Sequence, residues 1–272
     1  MQTSSAGTGQ LIGFALDYGV NKIIIAMGGS ATVDGGCGIL CALGIRFLNA
    51  AGEILEPVPK SLTELAKIDS SQIDQRIFDC EIVVLCDVNN KLLGPLGAAA
   101  VFGPQKGASQ DDVLVLERFL ARLGEIWYQQ SGKRMWAIKH GGTAGGAAAG
   151  LYAFLNAKLV NGIEYFLTIT GFYAALKKSD IIITGEGSID MQTLQGKGPF
   201  GVAKAAKLKK IPVIGLAGIV PLEADPGLER YFDILMAIGN GPADLPAALK
   251  HTEKNLIRTS KIIGDLLSLN NR

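Results

Sequence analysis

Glu186, Asp190 and Lys197 lie within twelve positions of one another, in a segment rich in glycine. Carboxylates can hold Mg²⁺ or orient a hydroxyl group, and a lysine can neutralise the charge that builds on a phosphoryl group. Glycines beside them allow a ligand to approach the backbone closely. The segment therefore predicts phosphoryl transfer, with all three residues as catalytic candidates and the two carboxylates as metal ligands. The alternative is that the acids are exposed loop charges and the lysine is a solvated helix residue.

A glycine-rich loop at residues 28–36 (GGSATVDGG) is a candidate anion site. It lies between a predicted strand and a predicted helix, where backbone N–H groups and the helix N-terminus can face a phosphate. It is not a Walker loop, because no lysine follows the glycines, and it lacks the GxGxxG pattern of dinucleotide-binding proteins. A tight turn with a hydroxyl group capping the helix is the alternative. The candidate phosphate-binding residues are Gly28, Gly29, Ser30, Ala31 and Thr32.

Further candidates lie in the middle of the chain. Asp87 directly follows an apolar run, so it is either a catalytic carboxylate at a strand end or the cap of the next turn. Lys106, in the segment AVFGPQKG, is a candidate for binding the nucleotide. Residues 141–146 (GGTAGG) predict either a second anion loop or a helix start that packs closely against a strand.

Short apolar runs rich in β-branched residues alternate with amphipathic segments along the chain. Continuous apolar runs are typical of parallel strands buried on both faces, and amphipathic segments predict the helices that cover them. The sequence therefore predicts an α/β fold with crossover helices between mostly parallel strands, and a hairpin at 46–55. We expect two domains, at 1–190 and 191–272. The predicted strands are 22–27, 81–86, 180–184, 211–216 and 232–238, and the predicted helices are 7–18, 35–43, 110–130, 145–155, 198–208 and 245–267.

The composition disfavours several other classes of protein. The chain has 272 residues, 48% of them hydrophobic, and 35 glycines, where about 19 are usual for this length. A net charge of +1 does not favour nucleic-acid binding, and no apolar run reaches the roughly 18 residues of a membrane span. Four cysteines without a CxxC pair predict reduced thiols. Reduced thiols and an N-terminus that does not resemble a signal peptide predict a cytoplasmic protein. Two histidines and no Ser–His nucleophile motif disfavour a zinc site and a hydrolase triad.

These segments together resemble the type I glycerate kinases, bacterial enzymes that phosphorylate D-glycerate with ATP. The resemblance covers nearly the whole chain, and its strings at 102–107 and 184–197 are long and chemically unusual. The matching segments are GGSAT with DGG at 28–36, CDV with LLGP at 86–95, VFGPQKG at 101–107, and TGEG with Asp190, QT and GK at 184–197.

The resemblance implies a particular fold and reaction. The fold has two α/β domains with mostly parallel sheets, and the active site lies in the cleft between them. The reaction transfers the γ-phosphoryl group of ATP to D-glycerate, with Mg²⁺, and gives phosphoglycerate and ADP. An oxidoreductase with a dinucleotide fold is disfavoured, because GxGxxG and its spaced acidic partner are absent.

The chain departs from the family pattern in three places. Lys91 stands where the family usually has proline, and residues 139–142 (KHGG) replace a PGAG-like segment; we expect both to alter detail rather than the reaction. The family also begins with a strand and a DSFKGS-type loop, ahead of the part that matches residues 3–9, and nothing here matches it. Met1 therefore resembles an internal start, which predicts that one domain and part of the active site are incomplete.

An incomplete domain leaves two hypotheses for function. The first is a glycerate kinase, and the second is a non-catalytic nucleotide- or phosphate-binding fragment of such a kinase. Activity of the purified chain, with and without a supplied N-terminal fragment, distinguishes them. Because apolar faces built for burial are costly to expose, we also expect the chain to form homo-oligomers or to bind the missing N-terminal fragment.

Overall fold

The structure, a computed structural model, describes residues 1–223 and 225–269, apart from the side chain of Gln195. Its helices and strands form a mixed α/β fold in which most strand pairs are parallel. Contacts along the chain separate two compact units, Met1–Tyr165 and a second unit that begins at Phe166. The sequence predicts a boundary after residue 190. The contact boundary lies earlier, because the strand that contains residues 182–188 pairs with a strand of the second unit.

Helices and strands alternate through most of the first unit. In chain order they are α1 (Ala6–Asp17), β1 (Lys22–Ala26), α2 (Cys37–Ala42), β2 (Arg46–Leu48), α3 (Pro59–Leu62), β3 (Lys67–Asp69), β4 (Glu81–Cys86), α4 (Ala98–Phe102), α5 (Gln110–Ser131), α6 (Ala147–Leu155) and β5 (Lys158–Asn161), and α7 (Gly162–Ile169) contains the boundary. β1, β4 and β5 form a parallel sheet with β4 in the middle, and β2 pairs with β3 antiparallel. Because Ala26 pairs with Leu85, the loops that follow β1 and β4 meet at one edge of the sheet.

The core of the first unit lies between this sheet and its helices. The middle strand, β4, is a continuous apolar run, and its Val83 and Val84 are almost completely buried. α5 begins with a capping box between Ser109 and Asp112 and ends at Gly132, whose φ is 71°. It buries one apolar face against the core, as its amphipathic sequence predicts. Packing of the helices against this core positions the loops at the edge of the sheet.

The second unit repeats this plan with its own three-stranded parallel sheet. Its elements are α8 (Phe172–Leu176), β6 (Ile182–Ser188), α9 (Gly198–Leu208), β7 (Val213–Ile219), α10 (Pro226–Glu229), β8 (Ile234–Ala237), α11 (Leu245–Lys250) and α12 (Thr252–Leu269). β7 is the middle strand of the three. Ser188 pairs with Ile219, so the segments that follow β6 and β7 leave the sheet at the same edge. Ile263 of α12 packs on Ile214 and Leu216 in the core of this unit.

Most predicted elements occur within a few residues of their expected bounds, whereas β3 and the short helices α3, α4, α7, α8 and α10 were not predicted from the sequence. β6 continues beyond the apolar run to Ser188, because Gly185 lies directly against β7: a Cβ there would be 2.3 Å from the carbonyl oxygen of Leu216. β5 was missed because its sequence, KLVN, is short and polar at both ends. The segment predicted as one helix at 245–267 is two helices, because the backbone of His251, with φ of −101°, ends α11.

Three other sequence features are local. The expected hairpin at 46–55 turns at Gly52 (φ 85°), and the N–H of Leu55 donates to the carbonyl oxygen of Phe47 at 2.8 Å. The four cysteines are free thiols. Across residues 1–223 and 225–269, no helix combines the length and the apolar character that a membrane crossing requires.

Candidate functional site

An open depression lies at the carboxyl ends of β1 and β4, where open α/β sheets bind their ligands. Four segments line it: the loop after β1, the segment after β4, the end of α4 with the short 3₁₀ helix Pro104–Lys106, and the loop before α6. Its empty volume is about 490 Å³, including the space open to solvent. The lining residues are Met27, Gly28, Gly29, Ser30, Asp87, Val88, Phe102, Gln105, Lys106, Thr143 and Ala144.

Lys106 lies outside the glycine-rich loop and holds it by two hydrogen bonds. Its Nζ donates hydrogen bonds to Ser30 Oγ and to the carbonyl oxygen of Thr32, each at 2.7 Å, which uses two of the three N–H donors of the ammonium group. Burial lowers the pKa of Lys106 below the usual lysine value, and the charge of Asp34 partly opposes this shift. No carboxylate among the described residues lies within ion-pair distance of it. The ammonium group can therefore still attract an anionic ligand.

A carboxylate of the protein itself occupies the helix N-terminus beside this loop. α2 begins at Cys37, and the N–H groups of Gly36 and Gly38 donate to the fully buried Asp34. Ser5 adds hydrogen bonds to Asp34 from its backbone N–H (2.9 Å) and its hydroxyl (2.6 Å). Contrary to the expectation from sequence, this helix end is thus not free to assist a phosphate. The groups of this loop that remain open to an anion are its own backbone N–H groups and the ammonium group of Lys106.

Gly28 faces open space in the depression. A Cβ at this position would meet no atom within 4 Å, and its φ lies outside the left-handed region. Neither packing nor backbone conformation therefore requires glycine here. At Gly29, by contrast, a φ of 68° accounts for the residue type. The missing side chain at Gly28 leaves the loop backbone accessible to a ligand.

Two polar side chains in the depression have no partner within the described residues. The Asp87 carboxylate is exposed and accepts no hydrogen bond from them, so it does not cap the turn that follows. The Thr143 hydroxyl forms none either, although the residue is only 1% exposed.

Burial raises the pKa of the neighbouring Cys86 thiol to about 11, and contact with Thr143 only partly opposes this. The protonated thiol donates to the carbonyl oxygen of Val84 at 3.6 Å and leaves the Thr143 hydroxyl without a hydrogen bond of normal geometry.

The loop at 141–146 packs its backbone against the glycine-rich loop. A Cβ on Gly145 would lie 2.1 Å from the carbonyl oxygen of Thr32, and Gly145 also has a φ of 67°. Its carbonyl oxygen accepts a hydrogen bond from Gly35 N at 3.1 Å. In α6, a Cβ on Gly150 would lie 2.2 Å from the carbonyl oxygen of Gly35. Close backbone packing thus explains these glycines, which favours the packing interpretation over a second anion loop.

A second polar cluster lies where β6 ends, in the second unit. Glu186 is in the strand, and its Oε1 accepts a hydrogen bond from Thr193 Oγ1 at 2.6 Å, while its Oε2 lies 3.5 Å from Lys197 Nζ. Thr193 Oγ1 in turn accepts the backbone N–H of Asp190 at 3.1 Å. The fully buried Thr193 therefore joins the two acidic residues into one cluster.

Asp190 and Lys197 keep some capacity to bind a ligand. Oδ1 of Asp190 accepts the backbone N–H of Gln192 at 2.8 Å, whereas the Ser188 hydroxyl is 3.5 Å from Oδ2. The Lys197 side chain is 42% exposed, and an ion pair that is this open to water contributes little to stability. The cluster is therefore more ordered than separate surface charges but not closed to solvent.

The donor set of this cluster fits a magnesium ion that a nucleotide helps to hold. Within the described part of the chain, no group of three or more His, Cys, Asp or Glu side chains is arranged to hold a metal ion. Mg²⁺ commonly takes only one or two carboxylates from a protein and completes its shell with phosphate oxygens and water. Glu186 and Asp190 offer that number of carboxylates.

The predicted site residues fall into two sets, one in each unit. Gly28, Gly29, Ser30, Asp87 and Lys106 line the depression. Ala31 and Thr32 do not, and their carbonyl groups accept hydrogen bonds from Thr3 and Lys106. Glu186, Asp190 and Lys197 form the cluster of the second unit.

Two threonines of these sites were not singled out from the sequence. Thr143 lines the depression, and Thr193 connects the acidic residues. The only signal available was a hydroxyl side chain between glycines in one case and close to two carboxylates in the other. Burial, which distinguishes both, is not visible in the sequence.

Comparisons with known proteins agree with one another. Residues 1–268 match the profile described as the glycerate kinase family. A glycerate kinase of Halalkalibacterium halodurans is 42% identical over 268 residues, which are 98% of this chain and 70% of that protein. A glycerate 2-kinase of Escherichia coli K12 is 40% identical over 274 residues, which are 99% of this chain and 71% of that protein. A crystal structure from Salmonella typhimurium LT2, described as a glycerate kinase 2, has a TM-score of 0.85 at 41% identity, and the match covers 99% of this chain and 70% of that one.

Proposed function

Because the chain belongs to the glycerate kinase family, we propose that it transfers the γ-phosphoryl group of ATP to D-glycerate, giving phosphoglycerate and ADP. The observation that carries this proposal is the family match over residues 1–268. A kinase of this family acts on a small molecule and uses a nucleotide. ATP as that nucleotide and Mg²⁺ as its metal ion are part of the proposal.

The backbone of residues 28–32 is proposed to hold a phosphate group, together with Lys106. Two features of this loop support the assignment. The backbone at Gly28 is unobstructed, and the ammonium group of Lys106 retains one N–H donor. A compact, partly desolvated ammonium group is well suited to neutralise phosphate charge.

Asp87 is proposed to orient the reacting hydroxyl group of the acid or to accept its proton. Its carboxylate accepts no hydrogen bond from the described residues and lines the same depression as Lys106. A catalytic base must lie within hydrogen-bond reach of the proton that it receives. The depression offers a place where substrate can meet this carboxylate.

In the second unit, Asp190 and Glu186 are proposed to hold Mg²⁺ or orient the glycerate hydroxyl, and Lys197 to neutralise charge that develops on the phosphoryl group. When bound, Mg²⁺ supplies positive charge to the phosphate oxygens. Thr193 fixes Glu186 by a hydrogen bond of 2.6 Å and the backbone of Asp190 by one of 3.1 Å. Residues held in this way do not need to reorganise during the reaction, and such preorganisation is a large part of catalysis of phosphoryl transfer.

The proposed reaction also bears on location and assembly. ATP and small hydroxy acids are metabolites of the cytoplasm, so we propose that the protein acts there. Association with a further copy of the chain, or with an N-terminal fragment, stays a prediction.

The reaction is tested by ADP release from the purified chain. With ATP and Mg²⁺, we expect D-glycerate to raise the rate of ADP release well above the rate without an acceptor. Other hydroxy acids and sugars serve as competing acceptors. The substrate assignment is wrong if ADP release is indifferent to glycerate but rises with one of them.

A further inference from the structure

The acceptor of a phosphoryl group must lie next to the phosphate that it attacks. Reacting atoms in a productive complex are about 3–3.5 Å apart. In the proposed function, the loop at 28–32 and Lys106 hold phosphate, and Gly28, Ser30 and Lys106 line the depression. The remaining polar walls of that depression are therefore the place to look for the acceptor.

Thr143 is the side chain there whose hydroxyl has no hydrogen bond of normal geometry within the described residues. It is 1% exposed, and its hydroxyl has no hydrogen-bond partner among the described residues. Buried polar groups are nearly always hydrogen-bonded, so one that is not calls for a specific explanation. A hydroxyl at the wall of a depression is explained if a ligand supplies the missing partner.

The loop that carries Thr143 has an unusual backbone. His140 and Ala144 have φ values of 70° and 54°, in the left-handed region that residues with a Cβ rarely adopt. Such conformations persist where the surrounding structure holds them, and they occur often at ligand sites. Here His140 Nδ1 lies 2.6 Å from the carbonyl oxygen of Val88, which follows Asp87, so Nδ1 is the donor of that hydrogen bond. This bond connects the loop of Thr143 to the segment that carries Asp87.

From these observations we infer that the depression is the binding site for the hydroxy acid, and that the Thr143 hydroxyl hydrogen-bonds the acid there. The site offers the complementary groups in one place. The hydroxyl of Thr143 can donate to a carboxylate of the substrate, and Asp87 can accept from a hydroxyl group of the substrate. The inference rests on the proposed function, and it assigns the acid to the first unit.

Calorimetric titration of D-glycerate into the full chain tests this inference, in the presence of Mg²⁺ and a non-hydrolysable ATP analogue. Thr143→Val removes the hydroxyl but keeps a branched side chain, whereas Thr143→Ser keeps the hydroxyl. The control variant is Thr259→Val, which alters a threonine of α12 that is 2% exposed. We expect Thr143→Val to weaken glycerate binding about tenfold or more, as for a lost hydrogen bond to a charged group. Thr143→Ser and Thr259→Val should bind within about threefold of wild type. Removal of an unsatisfied hydroxyl should not lower the Tm.

Kinetics separate the inference from the proposed function. Thr143→Val should raise KM for D-glycerate by the same factor and leave KM for ATP unchanged. Wild-type glycerate affinity in Thr143→Val, or the absence of glycerate binding by wild type, overturns the inference. If the wild type releases ADP in response to glycerate but Thr143→Val has an unchanged KM, the function stands and the inference falls. If the wild type binds glycerate through Thr143 but transfers no phosphoryl group, the inference stands and the proposed function falls.

Discussion

Lys106 Nζ lies 2.7 Å from Ser30 Oγ, although 76 positions separate the two residues in the chain. A second hydrogen bond, to the carbonyl oxygen of Thr32, fixes the ammonium group against the glycine-rich loop. Because this group is partly buried and forms no ion pair within the described residues, its charge remains available to a ligand. Two features that are far apart in the sequence, a glycine-rich loop and a lysine, thus form one candidate anion site.

The first prediction concerns the pH dependence of activity. The pKa of Lys106 lies below the ordinary lysine value of 10.5 because of burial, so its ammonium group loses its proton earlier as pH rises. If the charge binds phosphate, kcat/KM should fall on the alkaline side at a pH below 10.5. Lys106→Arg keeps its charge throughout this range, so the alkaline fall should move to higher pH. The pH profile of kcat/KM, measured for wild type and for Lys106→Arg, checks this prediction. If kcat/KM falls at the same alkaline pH in both proteins, a group other than Lys106 causes the fall.

A second prediction compares two glycines. Gly28→Ala adds a Cβ in open space, so the Tm should stay within about 2 °C of wild type while affinity for ATP falls. Gly145→Ala puts a Cβ 2.1 Å from the carbonyl oxygen of Thr32 at a φ of 67°, and should destabilise the fold by about 3 kcal/mol or more. Thermal melts and nucleotide titrations check the pair. Unchanged ATP affinity in Gly28→Ala counts against phosphate binding by this loop.

The third prediction concerns the cluster after β6. Asp190→Asn and Lys197→Met are nearly isosteric and remove charge, so each should lower kcat by ~10²–10³, about 3–4 kcal/mol, with little change in Tm. Asp180→Asn and Lys209→Met, at exposed positions of the same unit, are matched controls and should keep wild-type turnover. Turnover within a few-fold of wild type in both cluster variants shows that these residues are structural, and Asp87 and Lys106 then become the leading candidates.

A fourth prediction concerns acid stability of the second unit. Asp233 accepts hydrogen bonds from Lys207 Nζ at 2.6 Å and from Val213 N at 2.7 Å. Burial acts to raise the pKa of Asp233, but these hydrogen bonds outweigh it and the pKa is lowered. A lowered folded-state pKa stabilises the fold above the unfolded pKa of about 4, and this stability is lost as pH falls through the folded value.

The measurement for this fourth prediction is urea unfolding of wild type and Asp233→Asn at pH 7 and at pH 3. Because the Asp233 side chain is 43% exposed and its charge is screened by water, the variant should lose only about 0.5 kcal/mol of unfolding free energy at pH 7, and the difference should shrink at pH 3. Asp180→Asn again serves as the control. A difference that is the same at both pH values would mean that the charge of Asp233 makes no contribution.

The sequence predicts the elements well where local signals determine them. The apolar run at 81–86 and the amphipathic period of α5 are local, and both elements lie where they were expected. Glu186 was expected in a loop but lies in β6, because contact of Gly185 with β7 extends the strand. The bond from Lys106 to Ser30 and the burial of Thr143 arise from tertiary packing, which no local pattern encodes.

Identification of the reaction product decides whether this chain phosphorylates D-glycerate. Purified protein is incubated with ATP, Mg²⁺ and D-glycerate, and the reaction is followed by phosphorus NMR, with Asp190→Asn as the matched control. We expect a phosphate monoester of glycerate to accumulate in step with ADP and the variant to form it much more slowly. Formation of ADP with inorganic phosphate alone, or no glycerate ester at any protein concentration, would contradict the proposed function.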